Sequence, residues 1–153
     1  GLDVGSSSVK AALVEAKSGK SIQSVHEPKN EMSISSLKND WAEQDPNVWW
    51  KYTCTAIKRV CKESNIDPKK IISIGISYQM HGLVIVDKNG EPLRDSIIWC
   101  DSRAVNIGND AYEKLGEDKC MSHLLNSPGN FTASKLKWVK ENEPEVYEKI
   151  HID

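Results

Sequence analysis

The chain has 153 residues, 39% hydrophobic, 27% charged and 7% aromatic, which suits one soluble domain with a single core and excludes a disordered tail. Twenty Lys and Arg against 22 Asp and Glu leave a net charge of -2. That balance lacks the basic footprint of a general nucleic-acid binder. No apolar run approaches the ~20 residues that cross a bilayer, so no membrane partner is expected.

The chain opens at Gly1 without a basic or apolar leader, and Leu2-Asp3-Val4-Gly5 already reads as a strand entering a turn, so a trimmed piece is expected. Val9–Glu15 and Ser21–His26 are β-prone runs joined by Lys17-Ser18-Gly19-Lys20, which predicts a three-stranded antiparallel start. Residues 28–44 lack periodicity and read as a long loop of the kind that often carries function. Asp45-Pro46 starts a helix, because a carboxylate accepts from free first-turn N–H groups and proline needs no donor there. It is predicted to run to Ser64, with Trp49, Trp50, Thr53, Ile57, Val60 and Cys61 on its apolar face. The β-branched run Ile71–Ser77 predicts a central strand buried on both faces and paired in parallel across the helical crossover. Asn89-Gly90 between Leu83–Val86 and Pro92–Trp99 predicts a tight hairpin. Helices follow over 102–116, 118–125 and Thr132–Asn142, then one from Pro144 to Lys149, and Ile150-His151-Ile152 opens a further strand. The pattern is that of one α/β domain with a mixed central sheet and helices on both faces.

Cys54, Cys61, Cys100 and Cys120 form no C-x-x-C pair and have no histidine at ligand spacing, so reduced cytoplasmic thiols are expected, with Cys54 and Cys61 as small buried hydrophobes. Trp49, Trp50 and Trp138 read as core residues and Trp41 as a residue at a pocket edge.

Three segments carry chemistry. Asp3-Val4-Gly5-Ser6-Ser7-Ser8-Val9-Lys10 is a strand, a small-residue turn and a strand. Its N–H groups and hydroxyls suit a phosphate, Lys10 supplies positive charge, and Asp3 is placed to bridge through Mg²⁺ or its water to phosphate oxygens. A plain polar hairpin turn is the alternative. It is not a P-loop, since no Gly-Lys-Ser/Thr ending or helix follows. Gln79, Met80 and His81 follow the predicted strand, where ligands of open α/β sheets bind, and suit a polyol pocket; a structural histidine is the alternative. Asp101 and Arg103 either orient a hydroxylated ligand or form an internal ion pair capping the next helix.

These segments, with Trp41-Ala42-Glu43-Gln44-Asp45-Pro46, Trp49-Trp50 and Phe131-Thr132-Ala133-Ser134-Lys135-Leu136, occur in the order seen in the FGGY carbohydrate kinases, and the chain resembles most of the first domain of that family. The resemblance implies a ribonuclease-H-like, actin-like ATPase fold, with residues 1–153 a partial N-terminal, sugar-side domain and the C-terminal ATP-binding domain outside the chain. It implies ATP and Mg²⁺ as cofactors and cytoplasmic location, with a homodimer as the whole protein. Among family members the motifs are nearest to those acting on xylulose, so the implied reaction is D-xylulose to D-xylulose 5-phosphate, with glycerol, gluconate or ribulose as rival substrates. Asp3 falls on the catalytic, metal-binding position, Gly5, Ser6, Ser7, Ser8 and Lys10 on the phosphate side, and Gln79, Met80, His81, Asp101 and Arg103 on the sugar side. Cys100 and Pro128–Ser134 depart from the commoner family pattern. The family's general-base Asp comes later in the first domain, so the isolated chain is expected to be inactive. A ribonuclease-H-like nuclease is disfavoured because Ile71–Ser77 contains no carboxylate. A non-catalytic actin-like module is disfavoured by the sugar-side motifs.

Overall fold

The computed structural model describes residues 1–151, which group into two compact units, residues 1–33 with 47–79 and residues 34–46 with 80 onward. Two apolar clusters replace the single expected core, one in each unit.

In the first unit, strands β1 (Leu2–Val4), β2 (Val9–Val14) and β3 (Ser21–Glu27) form the predicted antiparallel meander, and Gly19 takes φ 70° in the turn between β2 and β3. Alternation aims Val9, Ala11 and Val25 to one face, where they pack on Ala56 and Val60 of helix α1 (Pro46–Ser64). Residues 53, 56 and 60 recur at helical spacing and make the buried stripe of α1. Trp50 was expected on that stripe but is 70% exposed, because it falls about 100° round the helix from Trp49. Cys54 and Cys61 are half-buried rather than buried, and all four cysteines are free.

The run 71–77 departs further from expectation. Only Ile76–Tyr78 forms a strand, β5. It pairs in parallel with β1 as predicted, but the order β3-β2-β1-β5 places it at the sheet edge. Ile72, Ile74, Ile76 and Tyr78 are between 63% and 83% exposed. A β-branched run reports strand propensity, not sheet position, and no described residue covers the outer side of this one.

In the second unit, a two-residue strand β4 (Glu43–Gln44) at the end of the loop pairs with β6 (Ser96–Ile97), an element the sequence pattern did not reveal. The hairpin over 83–97 is present, held by bridges Leu83↔Ile97 and Val86↔Pro92. Its turn differs from the tight form expected. Only Gly90 has positive φ (80°), and the Asp87 carboxylate accepts from the Asn89 and Glu91 N–H groups, making a longer turn. Helices α2 (Val105–Leu115), α3 (Glu117–His123), α4 (Thr132–Asn142) and α5 (Pro144–Tyr147) follow close to their predicted positions. Leu83, Ile85, Ile97 and Val139 form this unit's core, with Leu136 and Trp138 against it. Ile150 and His151 are not in a strand, and Ile152 lies outside the described residues. No helix among the described residues is long and apolar enough to cross a membrane.

Candidate active-site residues

The register of β1 and β2 sets Asp3 opposite Lys10, with Lys10 Nζ 3.1 Å from Asp3 Oδ2. Both side chains are about half or more exposed, so the pair contributes under about 1 kcal/mol and leaves its charges accessible to a ligand. Between them, the Gly5 N–H donates to the Ser8 carbonyl (3.1 Å), and a Cβ on Gly5 would stand 3.1 Å from that same oxygen. Glycine is what lets the turn close. The Gln79 N–H donates to the Val4 carbonyl (3.0 Å), so Gln79 lies beside the turn at the carboxyl ends of the parallel strands β1 and β5. Its amide oxygen and nitrogen are both buried and make no hydrogen bond. Buried amides without partners are rare, and this one sits where α/β sheets take ligands.

A magnesium nucleotide fits these residues. Mg²⁺ keeps several waters and is typically held by one or two carboxylates together with phosphate oxygens. No cluster of three or more metal-ligating side chains occurs among the described residues, and Asp3 would offer a carboxylate here. Gly5–Ser8 offer close backbone approach, and Lys10 adds a cation.

In the second unit, Met80 is 65% exposed. His81 has φ 63°, a left-handed conformation uncommon outside glycine, and its ring stacks on Phe131 with centroids 4.7 Å apart and planes 10° from parallel. The N-terminal end of α4 holds the adjoining backbone. Thr132 Oγ1 donates to the Gly82 carbonyl (3.1 Å), and Lys135 Nζ donates to the carbonyls of His81 (2.8 Å) and Ile98 (2.9 Å). Lys135 is fully buried, and that burial pushes its ammonium down to about 8, with Asp101 pulling the other way.

Asp101 and Arg103 meet in an internal ion pair, one of the two arrangements the sequence left open. Asp101 is fully buried; its Oδ2 accepts from the Ala42 N–H (2.6 Å) and from Arg103 Nη2 (2.7 Å). Arg103 Nη1 lies 2.7 Å from Glu43 Oε1, and Arg94 links Glu43 to Glu143. The Arg103 guanidinium sits 3.7 Å from the Trp41 ring centroid and 5.0 Å from that of Trp138, and the two rings meet edge to face. Trp41 is therefore the lid of a buried cation. The pair does not cap α2, whose N-cap is Ala104 with no side-chain bond. The carboxylate instead accepts from the Arg103 N–H two residues on (3.0 Å), closing the turn ahead of the helix.

The structure thus gathers Asp3, Gly5–Ser8, Lys10 and Gln79 around one turn, His81 against Phe131 and Lys135, and Asp101 with Arg103 in a network of their own. Met80 makes no contact of this kind among the described residues, and it is 65% exposed. Glu43 and Lys135 stand within the motifs the sequence singles out but are given no role of their own there, and Arg94 is not singled out at all. The one available signal is that Lys135 lies four residues before Val139, hence on the buried face of α4, where a lysine breaks the apolar pattern.

The chain matches the model of the FGGY family of carbohydrate kinases, N-terminal domain, over residues 1–152. It is 36% identical over 157 aligned positions to the xylulose kinase of Bacillus subtilis, covering 99% of this chain and 30% of that protein. It superposes on the crystal structure of a xyloylose kinase from Brucella ovis with a TM-score of 0.85 at 33% identity, covering 98% of this chain and 30% of that one. The gluconate kinase from Lactobacillus acidophilus gives a TM-score of 0.82 at 28% identity, covering 98% of this chain and 29% of that one. The chain therefore spans under a third of the length of these relatives. The mixed sheet with its crossover helix is that of the actin-like ATPase fold these kinases share. The ordered motifs, the fold and the match along nearly the whole sequence agree: the chain belongs to the FGGY family of carbohydrate kinases.

Proposed function

We propose that this chain is the sugar-side part of an ATP-dependent kinase that transfers a phosphoryl group to a hydroxyl of D-xylulose, giving D-xylulose 5-phosphate. The observation that carries the reading is His81, held at φ 63° with its ring stacked on Phe131. Non-glycine residues persist in that region when their surroundings over-determine them, and such residues cluster at ligand sites. The imidazole would hydrogen-bond a sugar hydroxyl, with Met80 and Gln79 as further contacts. The similarity to xylulose kinases supports the ketose as substrate.

Asp3, Gly5, Ser6, Ser7, Ser8 and Lys10 form the nucleotide end of this reading. Magnesium supplies charge neutralisation at the phosphates when bound, and phosphoryl transfer depends on such neutralisation and on positioning. Asp3 would hold the ion and its water, and the Gly5–Ser8 turn would cradle phosphate oxygens. Asp101 and Arg103 then serve the sugar side indirectly, by fixing Trp41 and the residues around it. A soluble cytoplasmic enzyme, dimeric when whole, accords with this role.

The likeness to a gluconate kinase supports a second reading, in which a sugar acid is the acceptor. Isothermal titration of the intact protein with xylulose, gluconate and glycerol decides between them. Xylulose is expected to bind at least tenfold more tightly than the others, with that preference lost in His81→Ala; preference for gluconate or glycerol would defeat the ketose assignment.

A further inference from the structure

The fully buried Lys135 has no part in the phosphate turn or in the Asp101–Arg103 pair, and burying an ammonium is costly unless its protons find acceptors. Its Nζ spends two of them on main-chain carbonyls far apart in sequence, His81 O at 2.8 Å and Ile98 O at 2.9 Å. The first belongs to the one residue of the sugar-side motif that has positive φ. The second lies just ahead of the turn that carries Asp101 and Arg103.

Two neighbours on the same segment act on the same place. Thr132, one turn earlier on α4, donates to the Gly82 carbonyl, and Phe131 stacks on the His81 ring. The left-handed backbone of His81 is thus gripped on its own carbonyl, on the next carbonyl and on its side chain, all by residues 131–135. Lysine suits the first task because its flexible stem crosses the interior and ends in three donors. An apolar residue of similar length would leave both carbonyls without this partner.

We infer that Lys135 is a positioning residue for His81, its buried ammonium tying the His81 and Ile98 carbonyls together so that the imidazole is held in its left-handed, Phe131-stacked orientation before any sugar arrives. The assignment deepens the reading of His81 as a sugar contact and rests on it for its kinetic consequence. The clamp itself does not depend on the identity of the sugar. The titratable and charged groups facing Lys135 are Asp101, which favours its protonated form, Arg103, which opposes it, and the thiol of Cys100.

The test separates the two. In the intact protein with isotope-labelled histidine, Lys135→Met is expected to shift the His81 imidazole resonances, identified by their absence in His81→Gln, and to weaken the ring-current effect of Phe131. Val139→Ala, one turn further along the same buried face of α4, is expected to leave those resonances in place although it also loosens the core. With xylulose and Mg-ATP, Lys135→Met is expected to raise KM about tenfold or more while kcat changes by less than about threefold, the pattern of lost ground-state positioning. Should Lys135→Met fail to fold, the wild-type protein answers by nitrogen-15 observation of the Lys135 ammonium, expected to be protected from exchange and to titrate near 8. Unmoved His81 resonances in a folded Lys135→Met, or a freely rotating wild-type ammonium with an ordinary lysine titration, would overturn the assignment. Shifted His81 resonances with an unchanged KM would uphold the clamp and count against His81 as a sugar contact.

Discussion

Asp101 and the Arg103 side chain are 0% and 1% exposed, so their value lies less in net stability than in what their removal leaves behind. Removing one member of a buried pair strands the other charge, at a cost of about 3–5 kcal/mol. Arg103→Met also strips the cation from the faces of Trp41 and Trp138. It is expected to destabilise the protein by about 3–5 kcal/mol, with altered tryptophan emission, in denaturant unfolding followed by fluorescence. Arg103→Lys is expected to rescue little, because an ammonium cannot reproduce the planar fork that engages Asp101 and Glu43 together. The sequence brought Asp101 and Arg103 forward but left their role open. Their partners Ala42 and Glu43 come from a segment 59 or more positions away, and local pattern carries no information about such a meeting.

Among the elements, α2 shows how tightly one piece can fix the next. Gly108 faces the turn 128–130, and a Cβ built on it would stand 2.3 Å from the Gly129 Cα and 2.4 Å from the Pro128 carbonyl oxygen. Both are backbone atoms, which cannot swing aside as a side-chain tip can. Gly108→Ala is expected to cost about 1–3 kcal/mol through overpacking, even though alanine is the better helix former. Because the displaced turn leads directly into Phe131, its effect is expected to reach the His81 ring, as a raised KM for the sugar alongside a lowered melting temperature. Helices α1 and α4 were legible from the sequence because Pro46 and Pro144 mark boundaries and apolar spacing marks faces. Strand β4 was not. Two residues are too few for an alternation to register, and β4 exists through its pairing with β6 and its bridge to Ser35.

For the whole molecule, the decisive fact is that the chain spans under a third of its relatives' length. Phosphoryl transfer needs the nucleotide, the acceptor hydroxyl and a base positioned together, and a positioned base alone contributes about 10²–10⁴-fold. The proposed function assigns the described residues a phosphate turn and a held imidazole, and assigns none of them the role of base. The 153 residues by themselves are expected to show negligible turnover in a coupled ADP-release assay with xylulose and Mg-ATP; turnover near that of a full-length xylulose kinase would refute this. Sequence alone determined the family, the antiparallel start with its small-residue turn and the order of the helices, since each rests on residues close together in the chain. Tertiary structure decided the rest. The edge position of Ile76–Tyr78, the burial of Asp101 with Arg103 and the grip of Lys135 on His81 all join residues tens of positions apart. Such meetings are set by which surfaces pack, and packing is a property of the folded chain rather than of any local run of residues.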